Sequence, residues 1–210
     1  MADTDSPPWL QWVQTLQSIA HNGLTFATDR YDIERYERVR EVAAAITSNR
    51  TGAQMPAVVE AFKTTDFGYI TPKVDVRGAI FHGDKVLLVW EPQECGWALP
   101  GGWAELHETP AEAIVREVRE ECGMQVRASR LLAVWDKSRH EHPASLLRVY
   151  KVIFECNAKD GHVQGVGGEP RAAYFPIEEL PQLSVDRITH RQLKRLHELH
   201  LDPTTPADFD

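Results

Sequence analysis

Apolar positions divide the chain into two regimes. Up to about position 62 they recur every three or four residues: Trp9, Leu10, Val13, Leu16 and Ala20, then Ile33, Tyr36, Val39, Val42, Ala43 and Ile46. That period predicts amphipathic helices. The first is expected to stop at Asn22-Gly23, because glycine is a common helix terminator. A second is expected over 32–46, broken by the polar run 47–52, and a short third over 56–62. From Pro72 the period shortens to that of strands. Runs at 74–81 and 85–90 flank His82-Gly83-Asp84, which reads as a tight hairpin turn. Further strands are expected at 126–136, 145–156 and 171–175, with a polar, glycine-rich loop at 159–169. Between them, Thr109 as N-cap, Pro110 at the first helical position and Glu112 three residues past the cap predict a helix that ends at Gly123. A closing helix is expected over 186–201. The sequence thus predicts an α/β protein: a helical N-terminal domain over 1–65, a second domain over 66–203, and a loose tail over 204–210.

Composition narrows the function classes. Thirty-one acidic against 23 basic residues give a net charge of −8, which disfavours stable nucleic-acid binding, since that needs a basic face. No run of about 18 apolar residues occurs, so no membrane span is expected. The start lacks a charged-then-apolar leader, and three scattered cysteines without C-x-x-C spacing suit a reducing compartment. A cytoplasmic location is expected.

The chemistry concentrates in residues 102–124. On a helix turning about 100° per residue, Glu117, Glu120 and Glu121 share an arc of about 100°. They border the apolar side formed by Ala111, Ile114, Val115 and Val118. Like charges this close repel, and a hard cation with oxygen ligands relieves the repulsion. Magnesium fits best, with manganese as its substitute. Cys122 lies at a different helix phase from the acids and reads as a core thiol.

These residues are similar to the Nudix box. Gly102, Glu108, Arg116, Glu117, Val118, Glu120, Glu121, Gly123 and Met124 match G-x5-E-x7-R-E-U-x-E-E-x-G-U, with U apolar, at every specified position. Trp97-Ala98-Leu99-Pro100-Gly101-Gly102 and Phe175-Pro176-Ile177-Glu178-Glu179-Leu180-Pro181 resemble the segments that flank the box in that family. The resemblance covers about residues 73–200. The N-terminal third (Trp9-Leu10-x-Trp12, Asn22-Gly23-Leu24, Tyr31-Asp32-x-Glu34-Arg35-Tyr36) resembles the helical extension of a subgroup of CDP-choline and ADP-ribose pyrophosphatases. The resemblance implies a mixed β-sheet sandwiched between helices, and metal-dependent cleavage of a nucleoside diphosphate linked to a moiety X. It implies Glu117, Glu120 and Glu121 as metal ligands with the Gly102 carbonyl, Arg116 and Glu108 as supports, and Glu117 or Glu120 as base. Glu169 reads as a candidate loop base or as an ordinary surface acid.

Other residues carry alternatives. Arg77 reads as a phosphate contact or as an ordinary surface arginine. Trp103 reads as a stacking surface or as core, while Trp90 and Trp97 read as core. Lys137, Arg139 and His142 read as substrate contacts on a mobile loop or as part of a plain hairpin connection; His140 and His142 lack a third soft ligand for zinc. The helical extension is expected to support a homodimer through Trp9, Trp12 and Leu16, or to cap the substrate. The alternative functions are triphosphate house-cleaning and non-catalytic nucleotide sensing, the latter disfavoured by the intact acidic cluster.

Overall fold

The computed structural model describes residues 7–63, 68–158 and 172–210. The chain separates into two compact units, Met1–Pro72 with Ala144–Arg148, and Lys73–Pro143 with Val149–Asp210.

The first unit is helical: α1 spans Pro8–Phe26, α2 Arg30–Thr51 and α3 Met55–Ala61. Helix α1 does not stop at Gly23. A Cβ there would fall 2.3 Å from the Tyr36 ring, so this glycine serves the packing of α1 on α2 rather than a helix end. Helix α2 also outruns its expected end. The Thr47 and Thr51 hydroxyls donate to the carbonyls of Ala43 and Thr47, and Gly52 closes the helix in the left-handed conformation (φ 74°). Val13, Ala43, Ala44, Val58 and Phe62 form the core of this unit, and Leu146 packs on it. Gln14 Nε2 donates to the carbonyls of Ser145 and Leu146 at 3.0 and 3.3 Å. The strand expected from 145 therefore begins only at Val149, because 144–148 joins the helical core.

In the second unit, strands β1 (Lys73–Ala79), β5 (Gly101–Trp103), β6 (Val126–Asp136), β7 (Val149–Ala158) and β9 (Asp208–Phe209) form a sheet ordered β5-β1-β7-β6-β9. Strands β2 (Phe81–His82), β3 (Lys85–Glu91), β4 (Gly96–Ala98) and β8 (Ala172–Pro176) form the other. The β1/β7 and β6/β9 pairs are parallel, so the first sheet is mixed. Helix α4 (Pro110–Cys122) covers one side through Ile114 and Val118, which meet Val76, Ile80, Leu87 and Val89. Helix α5 (His190–Leu201) covers the other through Leu193, Leu196 and Leu199, which meet Val86, Leu88, Ala133, Trp135 and Ile153. The architecture is α/β, a mixed sheet between helices. Alternation along β1 puts Val76 and Gly78 beneath α4 and Asp75 and Arg77 on the opposite side.

Two expectations fail for tertiary reasons. The closing helix starts at His190, capped by Thr189, because the residues before it are held as a strap: Trp97 N–H donates to Gln182 O, Ser184 N–H donates to Trp97 O, and Arg187 pairs with Glu91 and Glu94. The C-terminal tail is not loose. Asp208 and Phe209 extend the sheet beside Ala133 and Val134, and Asp210 accepts from the Asp136 N–H at 2.7 Å. The strap leaves no room at Gly96, where a Cβ would lie 2.5 Å from Ser184 N and 2.7 Å from Leu183 C. Gly96→Ala is therefore expected to cost about 1–3 kcal/mol in denaturant unfolding, with faster proteolysis across 182–188; unchanged stability would show that the strap yields freely.

Candidate active site

Helix α4 is built to present its acids at one end. The Thr109 side chain accepts from the Glu112 N–H, and Glu112 accepts in return from the Thr109 N–H at 2.8 Å, a closed capping box. Gly123 ends the helix in the left-handed conformation (φ 66°). Ala113, Ile114, Val118 and Cys122 are buried against the sheet, which fixes the rotation of the helix. Burial pushes the Cys122 thiol up to about 12, so it is an inert core thiol.

Arg116 is the hub of the acidic face. Its Nε and Nη2 reach both oxygens of Glu108 at 3.0 and 2.7 Å. Its Nη1 donates to Glu117 Oε1 at 3.0 Å and to Glu120 Oε2 at 3.2 Å. Glu108 also accepts from the Glu105 N–H at 2.8 Å. The Arg116 hydrogen bond holds the Glu108 carboxyl down to about 2, so the loop before α4 is tied to the helix by a permanent anion.

Glu117 and Glu121 both abut the Gly101-Gly102 backbone. A Cβ on Gly102 would lie 2.7 Å from Glu117 Oε1. Glu121 Oε2 accepts from the Gly101 N–H at 2.9 Å. Gly101 has φ +140°, and a Cβ there would strike the Val76 carbonyl at 2.0 Å, so only glycine fits. The register pairs Val76 with Gly102, midway between the Gly78 N–H to Pro100 O and Ala104 N–H to Val74 O bonds. Gly102 thus belongs to the hydrogen-bonded type of antiparallel pair, and its carbonyl turns toward β1. Gly101 alternates with it and turns its backbone groups to the open edge, where Glu121 stands. Burial raises the Glu121 carboxyl to about 7, against the lowering effects of the Gly101 N–H and Arg77.

The acids do not yet converge. Among the described residues, no three His, Cys, Asp or Glu side chains form a group that could hold a metal. Arg116 engages Glu117 and Glu120, while Glu121 is taken by Gly101. Still, the donors suit a hard divalent cation: they are all carboxylate oxygens, and one of them is costly to ionise alone.

The other candidates fall in several places. Arg77 is only 2% exposed, with its guanidinium on Asp75 and on the Leu99 carbonyl, so it is neither a surface arginine nor an open phosphate contact. Trp103 is 51% exposed at the end of β5, which removes the core alternative. Lys137 is buried and pairs with Asp186 at 2.5 Å, and the His142 Nδ1–H donates to Val185 O at 2.7 Å. Burial holds His142 down to about 4 and so neutral. These two residues tie their segment to the 182–188 strap, which contradicts a mobile loop, while Arg139 stays exposed on a short 3-10 turn at Lys137–Arg139. Glu169 lies outside the described residues. Sequence reasoning missed the buried Asp75 and Lys151. The Asp75/Arg77 spacing of two, which puts both on one strand face, was a readable signal for the pair.

Comparison with known proteins agrees with this geometry. Residues 7–62 match the family model described as a UDP-X-like, N-terminal oligomerisation domain, and residues 71–197 match the NUDIX domain. The chain is 38% identical over 202 residues to YjhB of Bacillus subtilis, provisionally named an ADP-ribose pyrophosphatase, covering 96% of this chain and 97% of that one. It is 33% identical over 124 residues to an ADP-ribose pyrophosphatase of Methanocaldococcus jannaschii, covering 56% of this chain and 70% of that one. Among solved structures, a UDP-X diphosphatase superposes with a TM-score of 0.62 at 33% identity, covering 96% of this chain and 98% of the other. An ADP-ribose pyrophosphatase from Streptococcus suis superposes with a TM-score of 0.60 at 35% identity, covering 67% and 100%. With the intact acidic helix, the glycine pair and both domain matches in place, the chain belongs to the Nudix hydrolases, in the subgroup that carries a helical domain ahead of the catalytic one.

Proposed function

We propose that this hydrolase cleaves the diphosphate bond of a nucleoside diphosphate linked to a moiety X, giving a nucleoside monophosphate and a phosphorylated X. The observation that carries the reading is the pair Glu117 and Glu121 set against the Gly101-Gly102 backbone. ADP-ribose is the leading substrate, supported by the names of the relatives; UDP-linked compounds follow, and CDP-choline rests on the helical extension alone. Glu117, Glu120 and Glu121 would hold magnesium, or manganese in its place. The open-edge orientation of Gly101 makes its carbonyl a better backbone ligand than that of Gly102. When bound, a divalent cation neutralises the diphosphate and lowers the pKa of an attacking water. Arg116 and Glu108 keep the carboxylates in position. Glu120, with its side chain 53% exposed, takes the proton of the attacking water, with Glu169 as the alternative base. Trp103 offers an exposed face to the base, and Arg139 an exposed cation to phosphate.

Incubation with magnesium and a panel of ADP-ribose, UDP-sugars, CDP-choline and nucleoside triphosphates tests the reading. AMP and ribose phosphate from ADP-ribose are expected. Binding of nucleotide without turnover would favour the sensing alternative, and pyrophosphate released from triphosphates the house-cleaning one. Glu117→Gln and Glu121→Gln are each expected to lower kcat by about 10²-fold or more; near-normal kcat in both at saturating metal would remove these residues from the site.

Glu121 also sets a pH and stability signature. Its folded pKa of about 7 lies above its ordinary value of 4.5, so the metal-free fold loses stability as pH rises between those two values. Glutamine removes the charge and keeps an oxygen for the Gly101 N–H. Metal-free Glu121→Gln is therefore expected to melt at a higher temperature than the parent at pH 8 and at a similar one at pH 4. Mn²⁺ affinity of the parent is expected to fall on acidification through about pH 7, because the proton competes for the carboxylate. An equal or lower melting temperature for the variant at pH 8 would contradict the burial cost.

A homodimer through the helical unit completes the proposal. The matched model for 7–62 is described as an oligomerisation domain. Trp9 and Leu16 pack inward on the helical core, whereas Trp12 and Ile19, seven residues apart on α1, are 61% and 49% exposed. Trp12→Glu with Ile19→Glu is expected to convert a dimer to monomer in sedimentation equilibrium while the helical content is kept; a dimer that persists would place the interface elsewhere.

A further inference from the structure

Beneath the glycine pair lies a buried charge network that the proposed chemistry does not use directly. Asp75 on β1 and Lys151 on β7 stand in register and, like Arg77, are almost fully buried. Lys151 Nζ donates to Asp75 Oδ2 at 2.7 Å. Arg77 Nε donates to Asp75 Oδ1 at 3.0 Å, and Arg77 Nη2 lies 2.9 Å from the same oxygen. Burial opposes ionisation of Asp75, yet the two cations hold its carboxyl below the ordinary range. Two buried cations thus share one carboxylate, with Glu91 4.0 Å from Arg77 Nη1. Such an arrangement is expensive to desolvate, and apolar residues of the same volume commonly stabilise a core as well or better. Fold stability alone is a poor reason for it.

The geometry supplies another. Arg77 Nη1 donates to the Leu99 carbonyl at 3.0 Å. Two residues further on, Gly101 presses on the Val76 and Arg77 backbone and gives its N–H to Glu121. The planar guanidinium holds Asp75 along one edge and the Leu99 carbonyl with another nitrogen, so it fixes the 99–101 turn against β1 in one orientation. We propose that Arg77 is a positioning residue for hydrolysis: anchored by Asp75 and Lys151, it sets the Leu99-Pro100-Gly101 turn and, through the Gly101 N–H, the placement of Glu121. The inference rests on the reading of Glu121 as a site carboxylate. It assigns to Arg77 no contact with substrate.

The test pairs kinetics with a direct view of Gly101. Arg77→Lys keeps the charge but not the two-directional fork, and Arg77→Met removes both. In protein labelled with ¹⁵N-glycine, each of the thirteen glycines gives an amide signal. Both variants are expected to shift the Gly101 signal and speed its solvent exchange, while Gly52, which caps α2, and Gly83, in the β2–β3 turn, stay in place. Both are expected to lose about 10–100-fold in kcat, with lysine the milder. KM should stay within about threefold, because the interaction lost is not a substrate contact. If Arg77→Met does not fold, Arg77→Lys carries the test alone. An unmoved Gly101 signal, or kcat kept in a folded variant, would overturn the proposal. So would a loss confined to KM, which would make Arg77 a substrate contact instead. If Glu121→Gln keeps full activity, the site reading itself has failed, and the Gly101 signal still reports whether Arg77 holds the turn.

Discussion

Crowding of like charge is the constraint around which the catalytic unit is organised. Three glutamates lie within five positions of α4, and left alone they would repel and lose water at once. The fold answers with fixed groups. Arg116 takes an oxygen from each of Glu117 and Glu120 while it is held by both oxygens of Glu108. Glu121 receives a backbone N–H from Gly101. One residue of the trio is left uneasy: burial at Glu121 outweighs its partners and holds the acid near neutrality. A Nudix hydrolase works with divalent metal, and a carboxylate held at such cost is one that gains most from a cation.

The glycines are the mechanical half of the same solution. Strand β5 is an edge strand, and only a residue without Cβ can bring its backbone as close to β1 and α4 as Gly101 and Gly102 do. Gly78 belongs to the same economy of space, since a Cβ there would press on Ile114 and Val118 at 3.2 and 3.3 Å and lift the acidic helix from the sheet. Sheet, glycine turn and helix are thus one packed object. The rotation of α4, set by Ile114 and Val118 in the core, decides where its carboxylates stand. Around this rigid part, the strap over 182–188 closes the far end of the core through Trp97, Arg187 and Lys137.

Much of this was legible in the chain. The capping box at Thr109 and the stop at Gly123 follow from local rules, because helix ends satisfy their own backbone groups with nearby side chains; of the expected apolar side of α4, Ile114 and Val118 are buried, joined by Ala113 and Cys122 rather than by Ala111 and Val115. The hairpin at Gly83 was readable from its period, but the run expected as one strand over 74–81 breaks at Ile80, so that β1 and β2 lie in different sheets. The Nudix box itself named its acids, since a helix carries i, i+3 and i+4 to one side whatever packs on it.

What the sequence determined was therefore local and periodic: a helical first unit, a mixed α/β second unit, and an acidic helix end beside a glycine turn. The tertiary structure decided everything that depends on a distant neighbour. Gly23 reads as a helix end and is a packing notch for Tyr36, thirteen positions on. Arg77 reads as a phosphate contact or a surface arginine and is instead buried on Asp75, a carboxylate it shares with Lys151, 74 positions away on the next strand. The tail over 204–210 reads as loose and instead adds a strand to the sheet beside β6. Residues 145–148 read as strand and join the helical core through Gln14 and Leu146. Each outcome turns on long-range packing or on the cost of leaving a buried charge or backbone group without a partner, and neither is written in local spacing.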